Sequence, residues 1–203
     1  MKEDPRIVFL KNKKNKGALY TKTKGILHSK GKYVMTLDED DLYASKDAFS
    51  ILYEEAEKNN LDILGFSSII SNISITQKIL INYLETPILL QPNVTERMYK
   101  KNENGDILRL NDVIWCYFIK TKLFISTIKI IDFKFLNRIM NVHDDLLLFF
   151  LLTRKAKNLK HIKRILHFVL IRNNPTEPSI KYRIREKSKE RKKNIILLLL
   201  FQI

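Results

Sequence analysis

The alternation of short apolar runs with amphipathic segments in the first third of the chain constrains its fold most. Residues 6–10, 32–37 and 62–67 are apolar and rich in β-branched and aromatic side chains, so they are predicted as strands. Residues 18–29 and the segment from Ser45 to Asn60 have helical spacing and lie between them. Strands that alternate with helices at this spacing form βαβ units. We therefore expect an α/β domain with a mainly parallel sheet flanked by helices.

The rest of the chain is less regular but continues the pattern. Residues 113–119 and 162–171 are apolar runs, and residues 145–153 are predicted as a buried helix that begins beside Asp144. Residues 181–193 are charged and helix-like, and they lead into a short apolar end. We therefore predict one domain over residues 1–175 and a basic helical tail over residues 176–203.

Composition narrows the class of protein. Hydrophobic residues make up 45% of the 203, which excludes wholesale disorder, and a single cysteine excludes a disulfide framework and a cysteine-rich zinc site. The net charge is +15, but lysine outnumbers arginine, the residue that pairs bidentately with phosphate and guanine. The charge therefore favours anionic ligands such as nucleotide diphosphates or lipid headgroups over nucleic acid.

Four consecutive acidic residues, Asp38-Glu39-Asp40-Asp41 (the acidic segment), follow the second predicted strand directly. In α/β proteins, ligands bind beyond the carboxyl ends of the strands. Clustered carboxylates repel one another, and a divalent cation with hard oxygen ligands, such as Mg²⁺, Mn²⁺ or Ca²⁺, relieves that repulsion. The competing interpretation is a solvated acidic turn before the next helix.

Three known uses of such acidic clusters can be compared. An EF-hand loop requires Gly at its sixth position and Glu at its twelfth, where this chain has Tyr43 and Phe49. A phosphoaspartate phosphatase requires the motif after the first strand with a small hydroxyl residue following, and this chain has neither. The third use is that of a nucleotide-sugar transferase, in which Asp-x-Asp binds a metal that bridges the leaving diphosphate.

The order and spacing of several short pieces resemble glycosyltransferase family 2, whose enzymes have the GT-A fold, and the likeness covers most of residues 6–172. The matching pieces are Asn15-Lys16-Gly17, Lys24-Gly25-Ile26, Lys30-Gly31-Lys32-Tyr33-Val34, Leu37 with the acidic segment, Val113-Ile114-Trp115-Cys116, and Asn141-Val142-His143-Asp144-Asp145-Leu146-Leu147.

The resemblance implies a metal-dependent transfer of sugar from a UDP- or GDP-type donor to a hydroxyl group, with inversion. Asp40 and Asp38 are then the ligands of Mn²⁺ or Mg²⁺, and Asp38, Lys22 and Gly17 contact the donor. Asp145 is the expected base, with Asp144 as its alternative. Without the resemblance, this pair is explained equally well as a helix N-cap. The account requires that both acidic parts of the sequence share one cleft.

The chain also departs from the family pattern. Lys22-Thr23 stands where the family has Arg-Asn, and Asp144-Asp145 stands for its Glu-Asp pair. The strand that opens the family's domain has no counterpart in this sequence. We therefore expect a domain that is incomplete at its N-terminus, with a non-catalytic fragment as the alternative to an active enzyme and a basic nucleic-acid-binding module as a weaker one.

Some positions keep two interpretations. Trp115 is predicted as core rather than as a sugar-stacking residue. His143 is predicted as structural rather than as a ligand of metal or diphosphate, and Arg172 as a solvated residue rather than a diphosphate contact. The acceptor is a glycan, a lipid or a protein. The basic tail is predicted as a solvated helix, with contact to an anionic membrane surface as the alternative. Neither a signal peptide nor a spanning segment is recognised, so a cytoplasmic or membrane-peripheral location is expected.

Overall fold

A computed structural model of the chain describes residues 7–38, 41–72, 75–81, 85–96, 100–101, 104, 107–108, 113–136 and 144–171. The helices are α1 (Gly17–His28), α2 (Ala48–Lys58), α3 (Asn93–Glu96), α4 (Thr121–Ile128), α5 (Phe133–Leu136) and α6 (Asp144–Lys155). The strands are β1 (Tyr33–Val34), β2 (Leu42–Tyr43), β3 (Ile63–Asn72), β4 (Ile75–Ile81), β5 (Leu89–Leu90), β6 (Lys100–Lys101), β7 (Ile107–Leu108), β8 (Tyr117–Lys120) and β9 (Asn158–Ile171).

Seven of these strands form one sheet in the order β1-β8-β3-β9-β2, with β4 paired to β3 and β5 paired to β9. Strands β6 and β7 form a separate antiparallel pair. The long strands β3 and β9 run parallel, and Ile63 lies opposite Leu159 at the start of their ladder. Both β1 and β3 are antiparallel to β8, so β1, β3 and β9 point in one direction.

The predicted α/β class is confirmed, but the sheet is mixed where a mainly parallel one was expected. Strand β8 lies between β1 and β3 and runs against both, and β2 runs against β9. Strands β3 and β4 are separated by only two residues, and such a short connection can join only antiparallel neighbours. The βαβ pattern is still present in the parallel directions of β1 and β3, which α2 connects.

Three local predictions differ from the structure. Residues 7–10 form no strand, and Phe9 is 58% exposed, because none of the described strands pairs with this segment. Strand β1 covers only two residues of the predicted six. The run at residues 113–119 begins with a turn, closed by a hydrogen bond from the Tyr117 N–H to the Ile114 carbonyl, and only then becomes β8.

The core lies between the sheet and its helices. Helix α1 buries Leu19 and Ile26, two turns apart, and α2 buries Ala48, Leu52 and Ala56 at the spacing of one helical face. Helix α6 buries Leu148, Phe149 and Leu152. Helix α1 packs against both α4 and α6, and this packing brings the middle of α1 close to the first turn of α6.

Several predicted features lie outside the described residues: Glu39, Asp40, His143, Arg172 and the whole tail at 176–203. None of the helices within the described ranges is long and apolar enough to cross a membrane.

Candidate active site

Three elements converge at the edge of the sheet where β1 ends. Asp38 follows β1 by four residues, Lys22 lies in the middle of α1, and Asp145 is the second residue of α6. Because β1 and β8 are antiparallel, with Val34 opposite Ile119, the turn that precedes β8 lies at this same edge. Residues that are distant in sequence are thereby gathered in one place.

Lys22 joins the two acidic parts of the sequence. Its ammonium Nζ donates a hydrogen bond to Asp145 Oδ1 at 2.5 Å and lies 4.0 Å from Asp38 Oδ1. The Lys22 side chain is buried, while Asp38 and Asp145 keep partial access to solvent. The two carboxylate oxygens are no further apart than the sum of these two distances. The shared location that the sequence account requires is therefore present.

The second oxygen of Asp145 is held by the backbone. The Ile114 N–H donates to Asp145 Oδ2 at 3.4 Å, from the turn at residues 113–116. The Asp145 carboxylate thus has a cationic donor on one oxygen and an amide donor on the other, which fixes its orientation. This amide contact had no signal in the sequence, because it depends on where the turn is placed in space.

Asp41 has a different environment from Asp38. The Asp41 N–H donates to the Asp38 carbonyl at 3.0 Å, but the Asp41 carboxylate is buried and its Oδ2 lies 3.4 Å from His167 Nε2. The His167 ring stacks on the Trp115 indole, with centroids 4.7 Å apart and planes at 29°. Sequence reasoning did not single out His167, which lies within an apolar run and is fully buried.

The other predicted site residues are placed as follows. Gly17 is the first residue of α1, with φ of 83°, and its N–H donates to Asn15 Oδ1 at 2.9 Å, so the structure gives it a backbone role. Trp115 is buried, which agrees with its prediction as a core residue. The backbone of Asp144 opens α6, but its side chain and all of Asp40 lie outside what the structure describes.

The donor set can be compared with the needs of a divalent cation. Among the described residues, no group of three or more His, Cys, Asp or Glu side chains is placed to bind a metal. Mg²⁺ and Mn²⁺ need only one or two protein carboxylates when substrate phosphates supply the remaining oxygens. Asp38, a partly exposed carboxylate beyond a strand end, fits that smaller requirement.

The arrangement combines groups of opposite charge in a small space. An ammonium ion between two carboxylates can exchange one of them for a phosphate oxygen at similar electrostatic cost. The Asp145 carboxylate keeps partial access to solvent, so a hydroxyl group that needs a proton acceptor can also reach it. The site can therefore bind an anionic leaving group and offer a base.

Comparisons with known proteins agree with this fold. The S. aureus TarS 1-349 structure in complex with UDP-GlcNAc has a TM-score of 0.57 at 9% identity, covering 85% of this chain and 46% of that one. The S. aureus TarS 1-349 structure without a named ligand has a TM-score of 0.53 at 11% identity, covering 76% and 40%. The one in complex with UDP has a TM-score of 0.50 at 11% identity, covering 72% and 38%.

The chain thus spans less than half the length of these structures, and at such low identity the likeness concerns the fold alone. It confirms the predicted GT-A fold. A search of curated proteins found no match. The sequence model described as glycosyl transferase family 2 matches residues 1–119. The chain therefore belongs to glycosyl transferase family 2.

Proposed function

We propose that the protein transfers a sugar from a nucleotide-sugar donor to an acceptor hydroxyl group, with the help of a divalent metal ion and with inversion at the anomeric carbon. The observation that carries the proposal is the position of Lys22 between Asp38 and Asp145. Family membership gives the reaction class, and the UDP and UDP-GlcNAc named with the TarS structures make a uridine nucleotide the first donor to test.

In this proposal, Asp38 and Asp40 hold Mn²⁺ or Mg²⁺, which as a Lewis acid would neutralise charge on the leaving diphosphate. Lys22 is close enough to Asp38 to contact the same diphosphate, as a point charge rather than a bidentate fork. Gly17 gives α1 its start and so helps to place Lys22 one and a half turns further along.

Asp145 acts as the base. The acceptor oxygen attacks C1 of the donor sugar, its proton passes to Asp145, and the bond from C1 to the diphosphate oxygen breaks, with the electron pair leaving on the nucleoside diphosphate. One displacement with the base and the leaving group on opposite faces of the sugar inverts the configuration at C1. Such a positioned base contributes ~10²–10⁴-fold to the rate. Asp144 is the alternative base.

Binding is tested by isothermal titration of the full chain with UDP and with GDP, each with and without Mn²⁺. We expect Mn²⁺ to increase the affinity for one of the two nucleotides, and Asp40→Ala to abolish that increase. Glu54→Ala, which removes an exposed acid on α2, is the matched control. The metal-dependent proposal is wrong if wild type gains nothing from Mn²⁺ or if Asp40→Ala keeps the full gain.

Catalysis is tested with Asp145→Asn, using release of the sugar from a UDP-sugar to water because no acceptor has to be chosen. The variant should still bind UDP with Mn²⁺ but release sugar at least about 100-fold more slowly. Unchanged release would exclude Asp145 as the base and direct attention to Asp144. Nucleotide binding without any turnover in wild type would favour a non-catalytic protein that keeps the fold.

A further inference from the structure

We propose that His167 is a positioning residue for this reaction: through Asp41 it holds the C-terminal end of the acidic segment against β9 and so keeps Asp38 close to Lys22. The inference rests on the proposed function, because positioning matters only if the acidic segment binds the metal and the diphosphate. It concerns a side chain to which the proposed function assigns no role.

The backbone on the C-terminal side of the acidic segment is already attached to β9. Strand β2 pairs antiparallel with β9, so that Leu42 lies opposite Phe168 and Tyr43 lies opposite His167. The Ala44 N–H donates to the Leu166 carbonyl at 2.9 Å. Asp41 is therefore the last residue of the acidic segment before the chain joins the sheet.

The Asp41 side chain adds a second attachment. Its carboxylate is buried, and a buried carboxylate is costly unless a donor or an opposite charge lies nearby. His167 Nε2 lies 3.4 Å from Asp41 Oδ2, so the imidazole is one of the groups that face this carboxylate. Because the Asp41 N–H also donates to the Asp38 carbonyl, a shift of Asp41 would move Asp38 with it.

Within the described residues, the contact with Asp41 is the best explanation for a buried histidine at this position. His167 is fully buried, and in this part of the chain neither of its ring nitrogens makes a hydrogen bond within normal limits. Its neighbour across the β3–β9 ladder is Ser68, which is also fully buried. An apolar side chain would be easier to bury at such a place, so the contact with Asp41 accounts for the presence of a histidine.

His167 also touches the other half of the site. Its ring stacks on Trp115, which directly follows Ile114, whose N–H holds Asp145. The imidazole thus lies between the acidic segment and the turn that orients the expected base. Losing it should move Asp38 away from Lys22 and so weaken the binding of the metal ion.

The test measures UDP affinity of the full chain by calorimetry, with and without Mn²⁺, together with the thermal midpoint of unfolding. In His167→Leu we expect the gain in affinity from Mn²⁺ to fall by about 10–100-fold, the range found when a residue supporting a metal ligand is lost. Affinity for UDP alone should stay the same. His167→Gln, whose amide can donate to Asp41, should restore part of the gain.

The matched control is His161→Leu, which removes another buried histidine from β9 at a position beside Gly65 and Tyr117. It should lower the thermal midpoint and keep the full gain from Mn²⁺. A merely structural role for His167 predicts the same behaviour in His167→Leu, and that result would overturn the inference. If His167→Leu does not fold, Asp41→Ala decides, because it removes the carboxylate that faces His167, and a full Mn²⁺ gain in Asp41→Ala contradicts positioning.

The outcomes separate the two proposals. If Mn²⁺ does not increase the affinity of wild type for UDP, the proposed metal-dependent function is wrong, and the role of His167 with it. A gain in wild type that His167→Leu retains in full overturns only the inference about His167.

Discussion

Lys22 is the residue whose contacts join the two acidic parts of the site. It is buried, and its ammonium group lies between Asp145 and Asp38. A buried charge of this kind is stable only while its partners remain, because desolvation removes the hydration that would otherwise stabilise it. Its position in the middle of α1 means that the helix and the site are stabilised together.

Lys22→Met should therefore destabilise the protein. The variant removes the cationic hydrogen-bond donor of Asp145, and a hydrogen bond to a charged group contributes about 1.5–3 kcal/mol to the free energy of unfolding. Denaturant unfolding measures this change, with Lys58→Met, an exposed lysine on α2, as the control. In the double variant Lys22→Met with Asp145→Asn, the loss in the free energy of unfolding should be smaller than the sum of the losses in the two single variants. A loss equal to that sum would argue against the contact.

Gly65 supports the sheet beneath the site through its lack of a side chain. A Cβ atom at this position would lie 2.2 Å from His161 Cδ2 and 2.9 Å from Tyr117 Cε1. Both side chains are buried, so they have little room to move.

Gly65→Ala should lower the free energy of unfolding by about 1–3 kcal/mol, the usual range for overpacking a core. The control is Ser68→Ala on the same strand, which removes a hydroxyl that has no hydrogen bond to any described residue and should change little. Denaturant midpoints of the two variants give the comparison, and equal midpoints would mean that the sheet adapts to the extra methyl group.

Asp38 was predicted from an acidic run after a strand, and Lys22 and Asp145 from the resemblance to glycosyltransferase family 2; the structure brings the three side chains together. Sequence reasoning did not identify His167. A single histidine inside an apolar run looks like any other core position, and its partner Asp41 is far away in the sequence. Contacts of this kind depend on the pairing of β2 with β9, which no local pattern encodes.

At the scale of elements, α2 is fastened to the start of β1 by a small charged cluster. Glu57 on α2 accepts hydrogen bonds from Lys32 Nζ at 2.5 Å and from the Tyr33 hydroxyl at 2.8 Å. The Lys32 contact, followed by the Tyr33 contact, lowers the pKa of Glu57 below its usual 4.5. Burial and the Glu57 contact raise the pKa of Tyr33, which stays neutral over the physiological range.

This cluster predicts a pH-dependent stability. Because the pKa of Glu57 is lower in the folded than in the unfolded chain, its contribution is complete above about pH 4.5 and is lost as the pH falls through the folded value. The difference in thermal midpoint between wild type and Glu57→Gln should therefore be largest near neutral pH and shrink in acid. Glu54→Gln, on the exposed face of the same helix, is the control. A difference in thermal midpoint between wild type and Glu57→Gln that widens in acid would contradict the lowered pKa of Glu57.

The positions of helices could be predicted from the sequence where helical periodicity is strong. Helix α1 and helix α6 lie close to their expected positions, because buried residues recur on one face in each. Strands were harder to predict. Residues 7–10 have the composition of a strand, but a strand also needs a neighbour to pair with, and composition carries no information about that neighbour. The order of strands, with β8 between β1 and β3, is likewise a long-range property.

At the scale of the whole molecule, the net charge of +15 sets how the protein responds to salt. Charges of one sign repel one another in the compact state, and the repulsion is screened as the Debye length falls from about 10 Å at 0.1 M to about 3 Å at 1 M ionic strength. The same field attracts anions to the protein.

Added KCl should therefore raise the thermal midpoint of unfolding while weakening the affinity for UDP. Potassium sulfate at equal ionic strength separates screening from anion binding, because an anion that occupies the site stabilises the protein beyond what screening provides. A midpoint that falls steadily with KCl would show that attractive ion pairs outweigh the net repulsion.

The stacking of Trp115 on His167 has a practical consequence. The chain has one tryptophan, and that indole lies against the imidazole that faces Asp41 and follows the amide that holds Asp145. Fluorescence excited at wavelengths that tyrosine does not absorb therefore originates from a single indole, placed close to Asp41 and Asp145. Any substrate that rearranges these residues should therefore be detectable as a change in tryptophan fluorescence, without a label on the protein.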